Sequence, residues 1–512
     1  MRILLKVTVC CALALWSLAA RAGDTTDMAA WKAWLGGLGR GFTVTQGGST
    51  TVGTAGCVPI IAVFGGCFGN NPAAPYIIPV PPVGDTYVDP YYGTPFNTAG
   101  VTGLTSNMIY RQAESEAIVT LVNMPPPAAY FGFQTYLFTR EASQYPNDGT
   151  TRTPSPDPTR YEIFGSVGST VNNVMIARQL GASPWNAGTI AFITTSNRTL
   201  AETLKASAAA AGLDPKRIFV ETVGRNVQVG SGATADDLLT LIRYAVGENA
   251  AAHDAWNAAN LSNVQTFRVR GNSIGVDRYE TPFYTVKQST DESGFDAAHR
   301  ELGTILWKWL GRQLSRPVVI EQMVPSERTL LEGTPYGLVG RDCIFKGTNC
   351  LGDSQDTDSY RYGLAGRLPA NSMFLMVGVN HTLTGNGSYV SLGIFDQATE
   401  LGVAAVSQTN PAAVGFNAGA LTGSAAGFLN AVGLYSSASP NLRAQLPYFY
   451  VALFGRGCPA AVSAYCTVLT TAELPLSSSV LLMQRAYLKP GTTTGANPDV
   501  MQTPYVIFRP VQ

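Results

Sequence analysis

Three clusters of residues have the types and spacing for nucleophilic ester hydrolysis. That chemistry needs a hydroxyl, a histidine to take its proton, an acid to orient the histidine, and donors for the developing oxyanion. Phe164-Gly165-Ser166-Val167-Gly168-Ser169-Thr170 follows a short apolar stretch and runs into a helical pattern. A hydroxyl there sits beside a helix N-terminus, whose partial positive charge favours an anion. Gly224-Arg225-Asn226 closes a later strand, and Asp296-Ala297-Ala298-His299 opens a long amphipathic helix. In a parallel α/β sheet such groups gather at the carboxyl ends of the strands. The same residues also have plainer uses. Ser293-Gly294-Phe295-Asp296 fits a capping box, in which Asp296 serves helix N–H groups and His299 faces solvent. Ser166 and Ser169 suit a helix cap, and Asn226 suits a turn.

The order of these blocks resembles the SGNH, or GDSL-type, hydrolase superfamily over about residues 155–315. There a serine follows the first strand, a G-x-N element follows the third, and a D-x-x-H precedes the last helix. The resemblance implies Ser166 as nucleophile, with Ser169 as the alternative. It implies His299 as base, Asp296 as its orienting acid, and Asn226 with a backbone N–H as oxyanion donors. The superfamily's first block is G-D-S, and the aspartate is missing from both Gly165-Ser166 and Gly168-Ser169.

A separate run, Asp353-Ser354-Gln355-Asp356-Thr357-Asp358, offers closely spaced oxygen ligands of the kind Ca²⁺ takes, with Asp353, Asp356 and Asp358 as the carboxylates. Its spacing is not that of an EF-hand loop, and a polar surface turn has the same composition. His381, at a strand end, offers a second Ser/Asp/His set through Ser354. His253 stands beside Asp254 in Ala-rich helical sequence. The chain lacks G-x-S-x-G, H-E-x-x-H, Walker and G-x-G-x-x-G patterns, which argues against ordinary α/β-hydrolases, zincins, nucleotide hydrolases and dinucleotide enzymes. No cofactor other than Ca²⁺ is expected.

The elements that would position these groups fall into three stretches. Residues 23–158 read as β-rich, with strands at Ala117–Val122 and Tyr130–Phe138, a hairpin-like first cysteine loop and a proline-rich strap over Pro72–Pro95. A polar linker over Tyr145–Thr159 marks a boundary. In residues 159–315 strands and helices alternate: a strand at Thr189–Thr195, a helix over Arg198–Ala211 stopped by Gly212, a strand at Ile218–Val223, a helix over Ala235–Val246, a strand at Val264–Arg270 and a helix over Asp296–Leu314. That alternation predicts a central parallel α/β three-layer domain. Residues 316–512 return to β-rich, sandwich-like sequence, with Ala412–Gly433 as a small-residue loop. Tyr130-Phe131 to Arg140 and Tyr448-Phe449 to Arg456 look alike, which raises a duplicated sandwich as an option. The expected class is thus mixed α/β and β.

The chain's address is read from its start and its cysteines. Met1–Lys6 is basic, Val7–Leu18 is apolar, and Ala20-Arg21-Ala22 is an A-x-A cleavage site, so residues 1–22 read as a signal peptide. The apolar run is shorter than the about 20 residues that span a bilayer. The six remaining cysteines form three close pairs, Cys57/Cys67, Cys343/Cys350 and Cys458/Cys466, expected as disulfides in a secreted or periplasmic protein. Lys plus Arg equals Asp plus Glu, 34 each, and charged residues are 13% of the chain. So neutral a chain has no electrostatic reason to bind nucleic acid. Two functions remain: a serine-dependent hydrolase acting on small or polymeric esters outside the cytoplasm, or a non-catalytic envelope protein that binds a polymer or glycan through β-rich surfaces.

Overall fold

Runs of β-branched and aromatic residues become strands here because each can bury one face against a neighbouring layer. The computed structural model describes residues 25–72, 74–83, 88–99, 105–326, 339–407 and 421–510. The expected signal segment lies outside them. In the first half the principal strands are β1 (Phe42–Gln46), β2 (Gly48–Val52), β3 (Tyr76–Val80), β4 (Glu116–Asn123), β5 (Ala128–Glu141), β6 (Arg160–Ser166), β7 (Thr189–Thr195), β8 (Ile218–Thr222), β9 (Asp237–Gly247) and β10 (Val264–Gly271). In the second half they are β11 (Val319–Gln322), β12 (Val324–Pro325), β13 (Thr357–Arg367), β14 (Met373–Val379), β15 (Tyr389–Asp396), β16 (Leu401–Ser407), β17 (Phe449–Gly455), β18 (Cys466–Val468), β19 (Ser479–Tyr487) and β20 (Tyr505–Phe508).

Strand for strand, the second set repeats the first. The sheet order β1-β10-β4-β7-β8 recurs as β11-β20-β14-β17-β18, and β2-β3-β9-β5-β6 recurs as β12-β13-β19-β15-β16. The parallel pairs, β7 with β8 and β17 with β18, fall at the same place in each copy. The other neighbours in these orders are antiparallel. The helices agree as well. Helix α1 (Thr25–Gly36) precedes β1, and α6 (Asp296–Leu314) precedes β11. Each lays tryptophan and leucine on the outer face of its first sheet, Trp31, Trp34 and Leu35 in one copy and Leu302, Leu306 and Trp309 in the other. Two tandem copies of one sandwich therefore make up residues 25–271 and 296–508.

This layout corrects the expected central α/β domain. Its strands are shared between both sheets of the first copy: β6 is antiparallel to β5 in one sheet, while β7, β8 and β10 lie in the other. The polar stretch 145–159 is not a boundary but the connection between neighbouring strands β5 and β6. Helix α4 (Arg198–Ala210) forms as expected, capped by Asn197 Oδ1 on Leu200 N. It is the crossover between parallel β7 and β8, which a parallel pair requires. The second copy makes the same crossover through a short segment containing the Cys458–Cys466 disulfide.

Three further expectations change. Ala235–Val246 is not a helix but mostly β9. Leu238, Ile242 and Tyr244 point to the inter-sheet core, and Leu239, Leu241 and Arg243 to the opposite face. The period is two, not 3.6. The first cysteine loop is not a hairpin but helix α2 (Cys57–Phe64). Within the expected loop 412–433, residues 424–431 are helix α8 (Ser424–Ala431); α5 (Ala250–Ala258) and α7 (Gly340–Lys346) complete the helices used below, with α3 (Asn173–Leu180). The proline-rich strap contains β3, an interior strand. Its ladder to β9 runs only through Tyr76 and Ile77, so Pro79 is not asked for an N–H on that side.

All three expected disulfides are formed: Cys57–Cys67, Cys343–Cys350 and Cys458–Cys466. Among the described residues no helix is long and apolar enough to cross a membrane.

Candidate functional site

Ser166, at the end of β6, is fully buried, and its neighbour is an aspartate rather than a histidine. Ser166 Oγ donates to Asp353 Oδ2 at 2.7 Å, and its backbone N–H donates to Oδ1 at 2.7 Å. The Gly340 backbone N–H adds a third donor. Burial still outweighs these bonds and pushes Asp353 up to about 6. The serine proposed as nucleophile and an aspartate proposed as a calcium ligand thus satisfy each other.

The remaining hydrolase residues lie elsewhere. His299 is 1% exposed on α6, in the second copy. Its Nε2 faces Val377 O at 3.2 Å and its Nδ1 faces Gln502 Oε1 at 3.4 Å. Burial holds it down at about 4, so the ring is neutral at ordinary pH. Asp296 accepts from Gln502 Nε2 at 2.6 Å. Asn226 is half-buried, and its carbonyl accepts from Arg140. Ser169 is half-buried. The structure brings Asp296 and His299 together through Gln502 but gives neither to Ser166. The order that resembled a single α/β domain straddles the junction between two sandwiches.

The acidic run forms the seam between the copies. Asp356 accepts from Tyr130 Oη at 3.0 Å, Asn172 Nδ2 at 3.1 Å and Ser354 Oγ at 2.8 Å. Ser354 also meets Thr170 Oγ1 at 2.6 Å. Asp358 pairs with buried Lys287 at 2.6 Å. Each carboxylate has its own partners, and among the described residues no group of three or more His, Cys, Asp or Glu side chains could hold a metal ion. His381 does not pair with Ser354. Its Nδ1 meets Glu292 Oε1 at 2.9 Å and its Nε2 meets Gln484 at 2.7 Å, all fully buried. His253 is also buried, stacked on Tyr244.

The outer faces of β9 and β19, the same strand in each copy, look toward this seam. Between them lies a cavity of about 140 Å³. Its apolar lining combines aliphatic side chains with five phenylalanines, Phe64, Phe68, Phe96, Phe138 and Phe164, packed edge to face at centroid distances of 5.2–5.5 Å where Phe64, Phe68 and Phe164 meet Phe138. Helix α2, clipped by Cys57–Cys67, covers one side. Cys350, tied to Cys343 on α7, and Gly352 border another; they extend β6 through Cys350 N to Ile163 O and Gly352 N to Phe164 O. The lining also includes the charged side chains Arg243, Arg361, Arg485, Asp353 and Asp358.

Arg243 is the residue that a sequence reading misses. It is 7% exposed and lies over the rings of Tyr76 and Tyr136 at 5.5 and 5.6 Å. Nη2 donates to Tyr136 Oη at 2.6 Å and to Gly352 O at 3.4 Å. Nη1 is buried without a partner. A signal for it exists: Leu239-Thr-Leu241-Ile-Arg243 on β9 and Leu481-Leu-Met483-Gln-Arg485 on β19 share one pattern. Only the repeat makes that similarity meaningful.

The seating of α7 on β6 depends on one glycine. A methyl group at Gly340 would overlap the main chain of Ser166. Gly340→Ala is therefore expected to push α7 off β6 and lower stability by about 1–3 kcal/mol or more, the range for overpacking a core. The shift in urea midpoint at unchanged m-value measures it.

No protein-family model matches the chain, and no curated protein matches it. Two crystal structures align with most of it. The chain is similar to the VPA0106 protein from Vibrio parahaemolyticus at 10% identity, over 78% of this chain and 88% of that one, with a TM-score of 0.33. It is similar to an uncharacterized protein from Burkholderia cenocepacia at 8% identity, over 86% of this chain and 77% of that one, with a TM-score of 0.32. Likenesses this loose carry no functional argument.

Proposed function

We propose that the protein is an exported binding protein, not an ester hydrolase, and that its ligand occupies the aromatic cavity between the two sandwich copies. The observation that carries this reading is the cavity itself: an apolar hollow with several aromatic rings and a limited set of charged groups in its lining, the usual make-up of a small-molecule site. Ser166 and His299, each buried with other partners, give the hydrolase reading no support in geometry. Three disulfides fit an oxidising compartment outside the cytoplasm. A space of about 140 Å³ suits an aryl ring or a short alkyl group, since an apolar cavity of about 150 Å³ holds benzene. This narrows the earlier alternative from a polymer on a β-surface to a small body enclosed between sheets.

The test is calorimetric titration of the oxidised mature protein with small neutral aromatics such as indole and 3-phenylpropanol. Saturable one-to-one binding, lost in Leu241→Trp, is expected, because the larger ring fills the cavity. Fluorophosphonate labelling that disappears in Ser166→Ala, or ester turnover lost in the same variant, would overturn the reading and favour the serine hydrolase.

A further inference from the structure

We infer that the cavity's ligand is a carboxylate with an aryl or short-chain apolar body, its anionic head held by Arg243. The inference rests on the binding reading above and adds the chemical class of the ligand. Its ground is the charge inventory of the lining. Five charged side chains border the cavity. Asp358 turns Oδ1 to the Lys287 ammonium, and that cation offsets the charge on its unpartnered Oδ2. Arg361 faces Glu400 at 3.7 Å. Asp353 is taken by Ser166 through both of its oxygens. Arg485 donates to Gly69 O and lies over the Phe395 ring at 5.3 Å. Arg243 remains. Among the described residues no carboxylate forms an ion pair with it, and Nη1 has no hydrogen-bond partner.

A guanidinium removed from water without a counter-ion is among the costliest groups a fold can bury. Stacking between two tyrosines holds it in place but supplies no anion. Arginine stays charged at any accessible pH, so it cannot escape the cost by losing its proton. A carboxylate brought by the ligand would supply the missing charge. Guanidinium also matches carboxylate in shape, through paired N–H donors. The aromatic wall takes the ligand's body while the head meets Arg243.

The duplication sharpens the point. Arg485 occupies the same place in the Leu-x-Met-x-Arg pattern of β19 as Arg243 does in the Leu-x-Leu-x-Arg of β9. Both arginines border the one cavity. With Arg361 turned to Glu400, the fold leaves two further cations on a single space, one from each copy, and the acidic groups beside them are already engaged.

The experiment compares matched acids and alcohols: 3-phenylpropionate with 3-phenylpropanol, and hexanoate with hexanol, titrated calorimetrically into the oxidised mature protein at pH 7.5. Wild type is expected to bind each acid about 10- to 100-fold more tightly than its alcohol, the range for a charge-assisted hydrogen bond. Arg243→Met should abolish that preference by weakening the acid far more than the alcohol. Arg243→Lys, which keeps the charge but not the planar fork, should retain part of it and guards against a variant that does not fold. Equal binding of acid and alcohol by wild type overturns the carboxylate assignment and leaves the cavity as a neutral-ligand site. A preference undiminished in a folded Arg243→Met overturns the role of Arg243. If neither acid nor alcohol binds wild type, the binding reading itself fails.

Discussion

Replacing Asp237 by alanine is expected to cost about 3–5 kcal/mol, the range for breaking a buried ion pair by removing one partner. Asp237 is fully buried on β9. Arg111 Nε at 2.9 Å and Thr139 Oγ1 at 2.7 Å donate to it, and Arg160, whose Nε donates to Thr139 Oγ1, pairs with it in charge at 2.9 Å. Both arginines are themselves buried, and the carboxylate they share besides Asp237 is that of Asp89, at 3.1 and 3.8 Å. Without Asp237, two guanidinium groups would face one carboxylate. A second readout separates this loss of charge balance from a simple cavity effect. Burial and the like charge of Asp237 push Asp89 up to about 6. In Asp237→Asn, where shape is kept, that repulsion disappears and Asp89 should titrate lower. Chemical denaturation gives the first quantity and carboxyl-resolved NMR the second. A midpoint unchanged within error would show that the four-residue cluster contributes nothing to stability.

Acidification from pH 8 to pH 5 is expected to raise the melting temperature by several degrees. Burial pushes Glu221 up to about 7 against hydrogen bonds from Thr135 and Thr194. Burial and the charge of Glu400 push Glu162 up to about 8, and burial pushes Asp353 up to about 6. A carboxyl whose folded pKa lies above its unfolded value favours the folded state when protonated. That contribution is full below pH about 4 and is lost as pH rises through 6–8. Glu221 alone, displaced by roughly 2.5 pH units, corresponds to about 3 kcal/mol. Glu292 acts in the opposite sense. Burial opposes its ionisation, but His381, Thr384 and the Gln502 N–H outweigh burial and hold it at about 2. Its contribution is present above pH about 4.5 and is lost only toward pH 2, so it does not change between pH 8 and 5. The contributions of these groups together should therefore peak at about pH 4–4.5. Glu221→Gln should flatten the curve between pH 8 and 5. A melting temperature that falls on acidification across that interval would refute the assignment.

Local chemistry made part of this molecule legible in its sequence. The cysteine spacings gave the disulfides because a loop of seven to ten residues closes easily. Arg198–Ala210 and Asp296–Leu314 were legible as helices from cap, composition and length. β4 and β7 were legible as fully buried strands. β9 was not, since Ala235-Asp236-Asp237-Leu238-Leu239 reads like a helix start. Its strand state is fixed by the long ladder to β5 and by an arginine that belongs on the cavity face. The duplication was glimpsed through the wrong pair of segments. The aromatic runs at 130–140 and 448–456 fall on β5 and β17, which occupy different sheets in the repeat; the matching strands are β5 with β15 and β7 with β17. The candidate hydrolase set failed for a related reason. A serine, an aspartate and a histidine in a familiar order say nothing about which layer each enters, and α6 opens a new copy instead of closing an old one.

The strand extension from Cys350 to Gly352 along β6 has a consequence for biogenesis. Ser166 meets Asp353 across a sequence separation of 187 residues. The edge of the first sandwich is therefore finished by chain made long after that sandwich has been synthesised. Non-local closure of this kind is slow. During synthesis the first copy must wait, with an open strand edge and the Ser166 hydroxyl without its carboxylate, until the segment after Gly340 has been made and the Cys343–Cys350 pair can form. The cavity between the copies then forms last, and only in a chain in which both copies are complete.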